Sequence, residues 1–181
     1  MQIKSELRKE FLHKRKSIYK EKIEPICSQI THNLFELDEF KNASQIFCYV
    51  SLPLEISTCE IIEYCFENDK KLAVPICVGD KMEFRYIGSL SDLEPGSFSV
   101  MEPKSICKVA VADEKTVCIT PALCYNENKY RIGYGKGYYD RFFSENRCIK
   151  IGLCCEEFIC DFKQDANDIA VDLVVTEKCV R

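Results

Sequence analysis

The sequence predicts an α/β fold: a three-layer, Rossmann-like open sheet, mostly parallel, with helices on both faces, spanning residues 1–181 as a single domain. Three observations carry this expectation. A chain of 181 residues suits one hydrophobic core, and 46% apolar with 30% charged residues provides both a core to bury and a surface to solvate. Two short apolar runs, Ile46–Val50 and Leu72–Ile76, bracket a stretch with helical spacing, the pattern of a βαβ unit whose strands are buried on both faces. Strand and helix patterns continue to alternate beyond it, with no repeat, low-complexity tract or linker to divide the chain.

In chain order, the first helix is predicted from Ser5 to about Lys20. Leu7, Phe11 and Ile18 form its apolar stripe, while Glu6, Lys9, Glu10, His13 and Ser17 lie opposite. Lys4, Arg8 and Arg15 fall within about 40° of one another along the border of that stripe. Two readings fit: stems that snorkel or pair with carboxylates, or a row of cations aimed at an anionic ligand. A second helix follows Glu24, with Pro25 at its first position and Ile26, Ile30, Leu34 and Leu37 on one face. Ile46–Val50 is then a strand, Thr58 to Asn68 a helix carrying Ile61, Ile62, Cys65 and Phe66, and Leu72–Ile76 a parallel strand. Met82 to Ile87 alternates like a strand with one exposed face, and Asp92 to Ser105, with Pro95, Gly96 and Pro103, reads as loop. Thr116–Thr120 is a strand, Tyr138–Glu145 a helix, and Lys150–Leu153 and Val171–Thr176 are strands.

Composition narrows the chemistry. With 25 basic and 29 acidic residues the net charge is -4, so no global field draws nucleic acid or an anionic membrane. Neither is expected as a partner, and no apolar run approaches the ~20 residues of a membrane span. The 13 cysteines include no CxxC pair, and the only histidines are His13 and His32. A zinc finger therefore lacks its ligand spacing and a thioredoxin-like site its motif, and a Cys-His or Ser-His pair would have to recruit one of two histidines in helical contexts. Without an apolar leader and with a charged opening from Lys4 to Lys16, the expectation is a cytoplasmic protein whose thiols are reduced, acting as small core hydrophobes.

The strongest local signal is glycine placement. Three of only seven glycines fall at Gly133, Gly135 and Gly137, inside Arg131-Ile132-Gly133-Tyr134-Gly135-Lys136-Gly137-Tyr138-Tyr139-Asp140-Arg141. Alternate glycines let backbone amides converge, Lys136 adds a point charge, and the helix that follows aims its N-terminal amides at the same place, an arrangement that suits phosphate. A flexible turn is the competing reading. The run is neither a Walker A sequence nor a dinucleotide fingerprint. Asp140, just after the loop, is placed to hold Mg²⁺ beside a phosphate or else to be a solvated helix charge; Asp168 is either a second such carboxylate or a loop cap.

The run Thr120-Pro121-Ala122-Leu123-Cys124-Tyr125 followed by Arg131 to Phe142 resembles the signature of the 5-formyltetrahydrofolate cyclo-ligase (5,10-methenyltetrahydrofolate synthetase) family. The likeness extends to the opening Lys4–Lys9, to Leu52–Thr58, to Glu102-Pro103 and to Val171–Thr176, in the family's order. The resemblance implies an ATP- and Mg²⁺-dependent ligase that cyclises 5-formyltetrahydrofolate. It places Lys4 and Arg8 on the ATP phosphates, with Arg8 also near the folate. Arg131, Ile132, Gly133, Tyr134, Gly135, Lys136, Gly137, Tyr138 and Tyr139 become the nucleotide loop. Arg131, Lys136 and Tyr138 are its implied catalytic residues. Arg8, Val50, Glu55 and Tyr134 to Tyr138 would contact the folate, Glu55 through its pterin donors. Asp140 and Asp168 would hold Mg²⁺.

Arg15 matches no family contact, and a structural salt bridge is its expected role. Asn167 stands where many relatives carry histidine, a proline common before Asp168 is replaced near Phe162-Lys163, and Tyr134 varies with arginine in the family. The partners implied are small molecules, with a monomer expected. The competing functions are a nucleotide- or folate-sensing module without turnover, and an isomerase or coenzyme A transferase-like enzyme of related architecture.

Overall fold

The computed structural model describes residues 3–18, 23–96 and 100–181. The chain opens with helix α1 (Lys4–Ile18), then α2 (Ile23–Phe35) and the short α3 (Asp38–Lys41). Strand β1 (Gln45–Cys48), helix α4 (Cys59–Glu67) and strand β2 (Leu72–Val78) form the expected βαβ unit, with Ile46 beside Leu72 in a parallel pairing. Strand β3 (Lys81–Ile87) turns back antiparallel on β2. After it come β4 (Leu93–Pro95), β5 (Met101–Pro103), β6 (Val109–Ala110) and β7 (Thr116–Thr120). Next are β8 (Cys124–Tyr125), β9 (Arg131–Ile132), helix α5 (Tyr138–Glu145), β10 (Ile149–Leu153) and β11 (Leu173–Val175).

The main sheet has seven strands in the order β11-β10-β7-β1-β2-β3-β6. Its pairings from β11 to β2 are parallel, and β3 and β6 add antiparallel pairings at one edge. Alternation along the strands sends side chains into two cores. Ile46, Cys48, Leu72, Val74, Val117 and Ile119 meet α1 to α4 on one face, whereas Phe47, Ala73 and Cys118 meet Phe142 and Phe143 of α5 on the other. Helices therefore cover both faces, four against one, as the three-layer expectation requires.

Two expectations need correction, and one hairpin has no counterpart among them. The segment Asp92 to Ser105 is not a plain loop: β4 and β5 pair antiparallel, Leu93 opposite Pro103, because the buried Leu93 and Pro103 anchor a hairpin that the prolines and Gly96 disguise in the sequence. Its Ser97–Ser99 portion lies outside the described residues, as does the predicted end of the first helix at Tyr19 and Lys20. Pro25 is the third residue of α2, not the first. Finally, β8 and β9 form an unforeseen hairpin on either side of the Asn126-Glu127-Asn128 turn, and it delivers Arg131 to the glycine loop.

Candidate active site

Every predicted site residue except Ile132 lines one cleft of about 600 Å³, within the range of small-molecule sites. The cleft opens where β1 and β7 end, at Tyr49, Val50 and Pro121, the edge of a parallel sheet at which ligands gather. Ile132 instead packs in the helix-covered core, 1% exposed, because β9 pairs Ile132 with Cys124 of β8.

Helix α1 brings its cations to this cleft. Arg8 Nε donates to the Gly133 carbonyl at 3.0 Å, and the guanidinium lies so close to Gly135 that a Cβ there would stand 3.3 Å from Arg8 Cζ. Lys4 Nζ donates to Asp165 at 2.8 Å and to Asp168. Burial alone would lower the Lys4 pKa, but the bonds to these two carboxylates outweigh it and raise the ammonium above its usual range. The same contact holds Asp165 below the usual carboxylate range.

The loop itself depends on positive φ. Gly135 has φ +94° and Gly137 φ +68°, conformations that glycine adopts without a Cβ clash. Gly137 caps the N-terminus of α5 in the left-handed conformation, so the chain turns directly from the loop into the helix. Lys136 is exposed at the loop between them.

Two tyrosines flank the loop. The Tyr138 hydroxyl donates to the Gly79 carbonyl at 3.1 Å, and the Arg141 guanidinium stacks on its ring at 5.1 Å. The Tyr139 hydroxyl is buried with no hydrogen-bond partner among the described residues.

At the base of the loop, Arg131 is 7% exposed. It donates to the Ile169 carbonyl at 2.8 Å and to Asp140 Oδ1 at 2.7 Å. Asp140 Oδ1 also accepts the Ile169 amide at 3.0 Å. Glu55, which also lines the cleft, is 8% exposed and accepts the Leu52 amide at 2.8 Å. Burial raises its pKa, opposed by that amide, by the Arg15 cation and by the Tyr134 hydroxyl. Burial and the Glu55 charge push the Tyr134 phenol up to about 12.

The donor set fits a Mg²⁺ shared between protein and substrate. Asp140 and Asp168 both line the cleft, and their hydrogen bonds to described residues use Oδ1 of Asp140 and Oδ2 of Asp168, leaving the second oxygen of each for coordination. Among the described residues no group of three or more His, Cys, Asp or Glu could cage a metal. Mg²⁺ needs no such cage, since one or two carboxylates, waters and substrate phosphates satisfy its octahedron.

Sequence reasoning missed Asp165 and the true environment of Arg15. Asp165 lies in the turn whose amide is bonded by Asp168 at 2.7 Å, and only the approach of Lys4 gives it a role. Among the described residues Arg15 has no carboxylate partner: it is 1% exposed, and it donates to the backbone carbonyls of Leu54, Ala122 and Leu123.

A mostly parallel sheet whose strand ends carry a glycine loop, a helix N-terminus and converging cations around one cleft is the architecture of an α/β enzyme. The model of the 5-formyltetrahydrofolate cyclo-ligase family matches residues 1–177, and the chain belongs to that family. It is therefore a ligase of the group that makes 5,10-methenyltetrahydrofolate. A probable 5-formyltetrahydrofolate cyclo-ligase of Schizosaccharomyces pombe is 29% identical, over 86% of this chain and 84% of its own. A protein of the same description from Caenorhabditis elegans is 27% identical, over 97% and 93%. The solved 5,10-methenyltetrahydrofolate synthetase of Aquifex aeolicus superposes with a TM-score of 0.86 at 30% identity, covering 99% of this chain and 92% of its own.

Proposed function

We propose that this chain couples cleavage of ATP, with Mg²⁺, to the cyclisation of 5-formyltetrahydrofolate, releasing ADP and phosphate. The observation that carries the reading is the shared cleft, which gathers the cations of α1, the glycine loop and the buried Glu55 around one space. Glu55, as a carboxylate, accepts the pterin N–H donors, with Val50 beside it. Arg8, Lys136 and the loop amides hold the triphosphate, and Lys4 joins them by exchanging Asp168 for phosphate. Arg131 holds Asp140 and closes the loop from below. Bound Mg²⁺, held by Asp140 and Asp168 with the phosphates, supplies charge neutralisation for phosphoryl transfer.

The formyl oxygen attacks the γ-phosphorus, and the bond to ADP breaks. The neighbouring folate nitrogen then adds to the imidate carbon, losing its proton, and the carbon–oxygen bond breaks to expel phosphate. Lys136 neutralises the moving phosphoryl group, and Tyr138 faces the formyl group. This chemistry rests on positioning and charge, and asks no histidine of a chain whose His13 and His32 both lie outside the cleft. The reading extends to a cytoplasmic monomer acting on small molecules. All 13 cysteines are free thiols, and no helix among the described residues is long and apolar enough to cross a membrane.

Purified protein given Mg²⁺-ATP and 5-formyltetrahydrofolate is expected to develop the near-ultraviolet absorbance of methenyltetrahydrofolate. ATP binding without that absorbance would instead support a sensor.

A further inference from the structure

Arg15 is an unusual core residue. It is 1% exposed, no carboxylate among the described residues pairs with it, and its Nε is buried without a partner. Stability alone favours an apolar side chain at such a position, because a buried charge with an unmet donor carries a desolvation penalty. What the guanidinium supplies is connection. Its Nη1 donates to the Leu54 carbonyl at 2.7 Å, and its Nη2 donates to Ala122 and, at 3.3 Å, to Leu123. Leu54 immediately precedes Glu55, while Ala122 and Leu123 join β7 to the β8–β9 hairpin that leads into the glycine loop.

The same helix carries the phosphate-facing cations. Arg15 lies seven residues from Arg8, on the same side of α1 and roughly 10 Å further along its axis. Helix α1 thus spans from the Gly133 carbonyl, held by Arg8, to the turn that presents Glu55, held by Arg15.

We propose that Arg15 is a positioning residue for the folate wall of the cleft: by gripping three carbonyls at once it fixes the Glu55 turn relative to the nucleotide cations on its own helix. This rests on the reading of Glu55 as the folate-binding carboxylate. Arg15 also acts on Glu55 through its charge. Among the described residues, the groups facing Glu55 are the Arg15 cation from α1, the Tyr134 hydroxyl from the loop, the Tyr139 hydroxyl from α5 and the Leu52 amide of its own turn. Glu24 and Glu60 line a neighbouring depression that shares Glu55. Arg15 is the only cation of this set.

The test compares Arg15→Lys, Arg15→Met and Glu55→Gln by steady-state kinetics, pH profile and thermal melting. Arg15→Lys keeps the charge but not the three-carbonyl grip, and its KM for 5-formyltetrahydrofolate is expected to rise about tenfold, with that for ATP nearly unchanged; tenfold corresponds to about 1.4 kcal/mol. Arg15→Met is expected to show the same rise and, in addition, an acidic limb of kcat/KM for the folate displaced to higher pH. Arg15→Lys restores the limb. In the Glu55→Gln background the substitution at Arg15 moves no limb. A lowered melting temperature with unchanged or equally raised KM values and an unmoved limb overturns the inference. Should Arg15→Met fail to fold, the KM split of Arg15→Lys decides alone. If Glu55→Gln leaves folate affinity intact, the reading of Glu55 fails and the inference with it. If Glu55→Gln weakens folate but Arg15→Lys does not, only the inference falls.

Discussion

Arg131 and Asp140 form an ion pair of 2.7 Å across the base of the glycine loop, joining the start of β9 to the first turn of α5. The Ile169 backbone completes the arrangement, accepting from Arg131 and donating to Asp140. The loop is thus closed like a purse and tied to the segment that bears Asp168. Both charges also line the cleft, so the pair belongs at once to the fold and to the site.

Asp140→Asn separates these roles. The Arg131 side chain is 5% exposed and that of Asp140 24%, so the substitution leaves a buried cation facing a neutral acceptor. A loss of about 1–2 kcal/mol is expected, discounted for the partial exposure of Asp140. For a chain of this size that lowers the melting temperature by about 2–8 °C. The measurement is thermal unfolding without nucleotide or Mg²⁺. An unchanged melting point there would show that Asp140 has no part in closing the loop.

Gly135→Ala places a Cβ at φ +94° and 3.3 Å from Arg8 Cζ. A left-handed conformation strains an L-residue by roughly 1–2 kcal/mol, and the guanidinium must also shift. Because Arg8 touches the loop on this side, the KM for ATP is expected to rise about tenfold, more than the melting temperature alone would suggest. Isothermal titration with a non-hydrolysable ATP analogue checks it, and wild-type affinity would refute the close packing of Arg8 on the loop.

Lys136→Ala tests the phosphoryl contact. The side chain is exposed, so the fold is expected to survive with its melting point within a degree or two. Turnover at saturating substrates is expected to fall by about 10²–10³, the scale for removing one preorganised charge stabiliser. Normal turnover would exclude Lys136 from the transferring phosphate.

Much of the architecture was visible because its signals are local. Thr116–Thr120 and Tyr138–Glu145 match β7 and α5 residue for residue, since each is a periodic run bounded by breakers. The β4–β5 hairpin was not, because strands of three residues carry no period and Pro95, Gly96 and Pro103 read as loop. Glu55 and the glycine loop were recognisable from the family resemblance. The contacts that organise them are tertiary and leave no mark in spacing: Arg15 reaching Leu54, Lys4 reaching Asp165, Arg131 turned toward Asp140 and Ile169. The cations could be seen in the sequence, but not how many of their donors are already engaged within the protein.

The buried Glu55 makes a prediction about pH. Burial raises its pKa, so the carboxylate takes up a proton at a higher pH than an exposed glutamate does. On the proposed reading that Glu55 binds the pterin, only its ionised form accepts both donors, so kcat/KM for the folate is expected to fall as pH drops through the raised pKa, while ATP affinity is little changed. In stability the same shift has the opposite consequence: a carboxyl whose folded pKa exceeds its unfolded one stabilises the fold below the unfolded pKa, and that contribution disappears as pH rises through the folded pKa. Glu55→Gln, which cannot titrate, is expected to weaken folate more than ATP, to lose the acidic limb and to melt no lower than wild type at neutral pH. The decisive measurement is kcat/KM for each substrate across the acidic range. A limb that persists in Glu55→Gln would assign the titration to another group, and equal weakening of both substrates would remove Glu55 from the folate pocket.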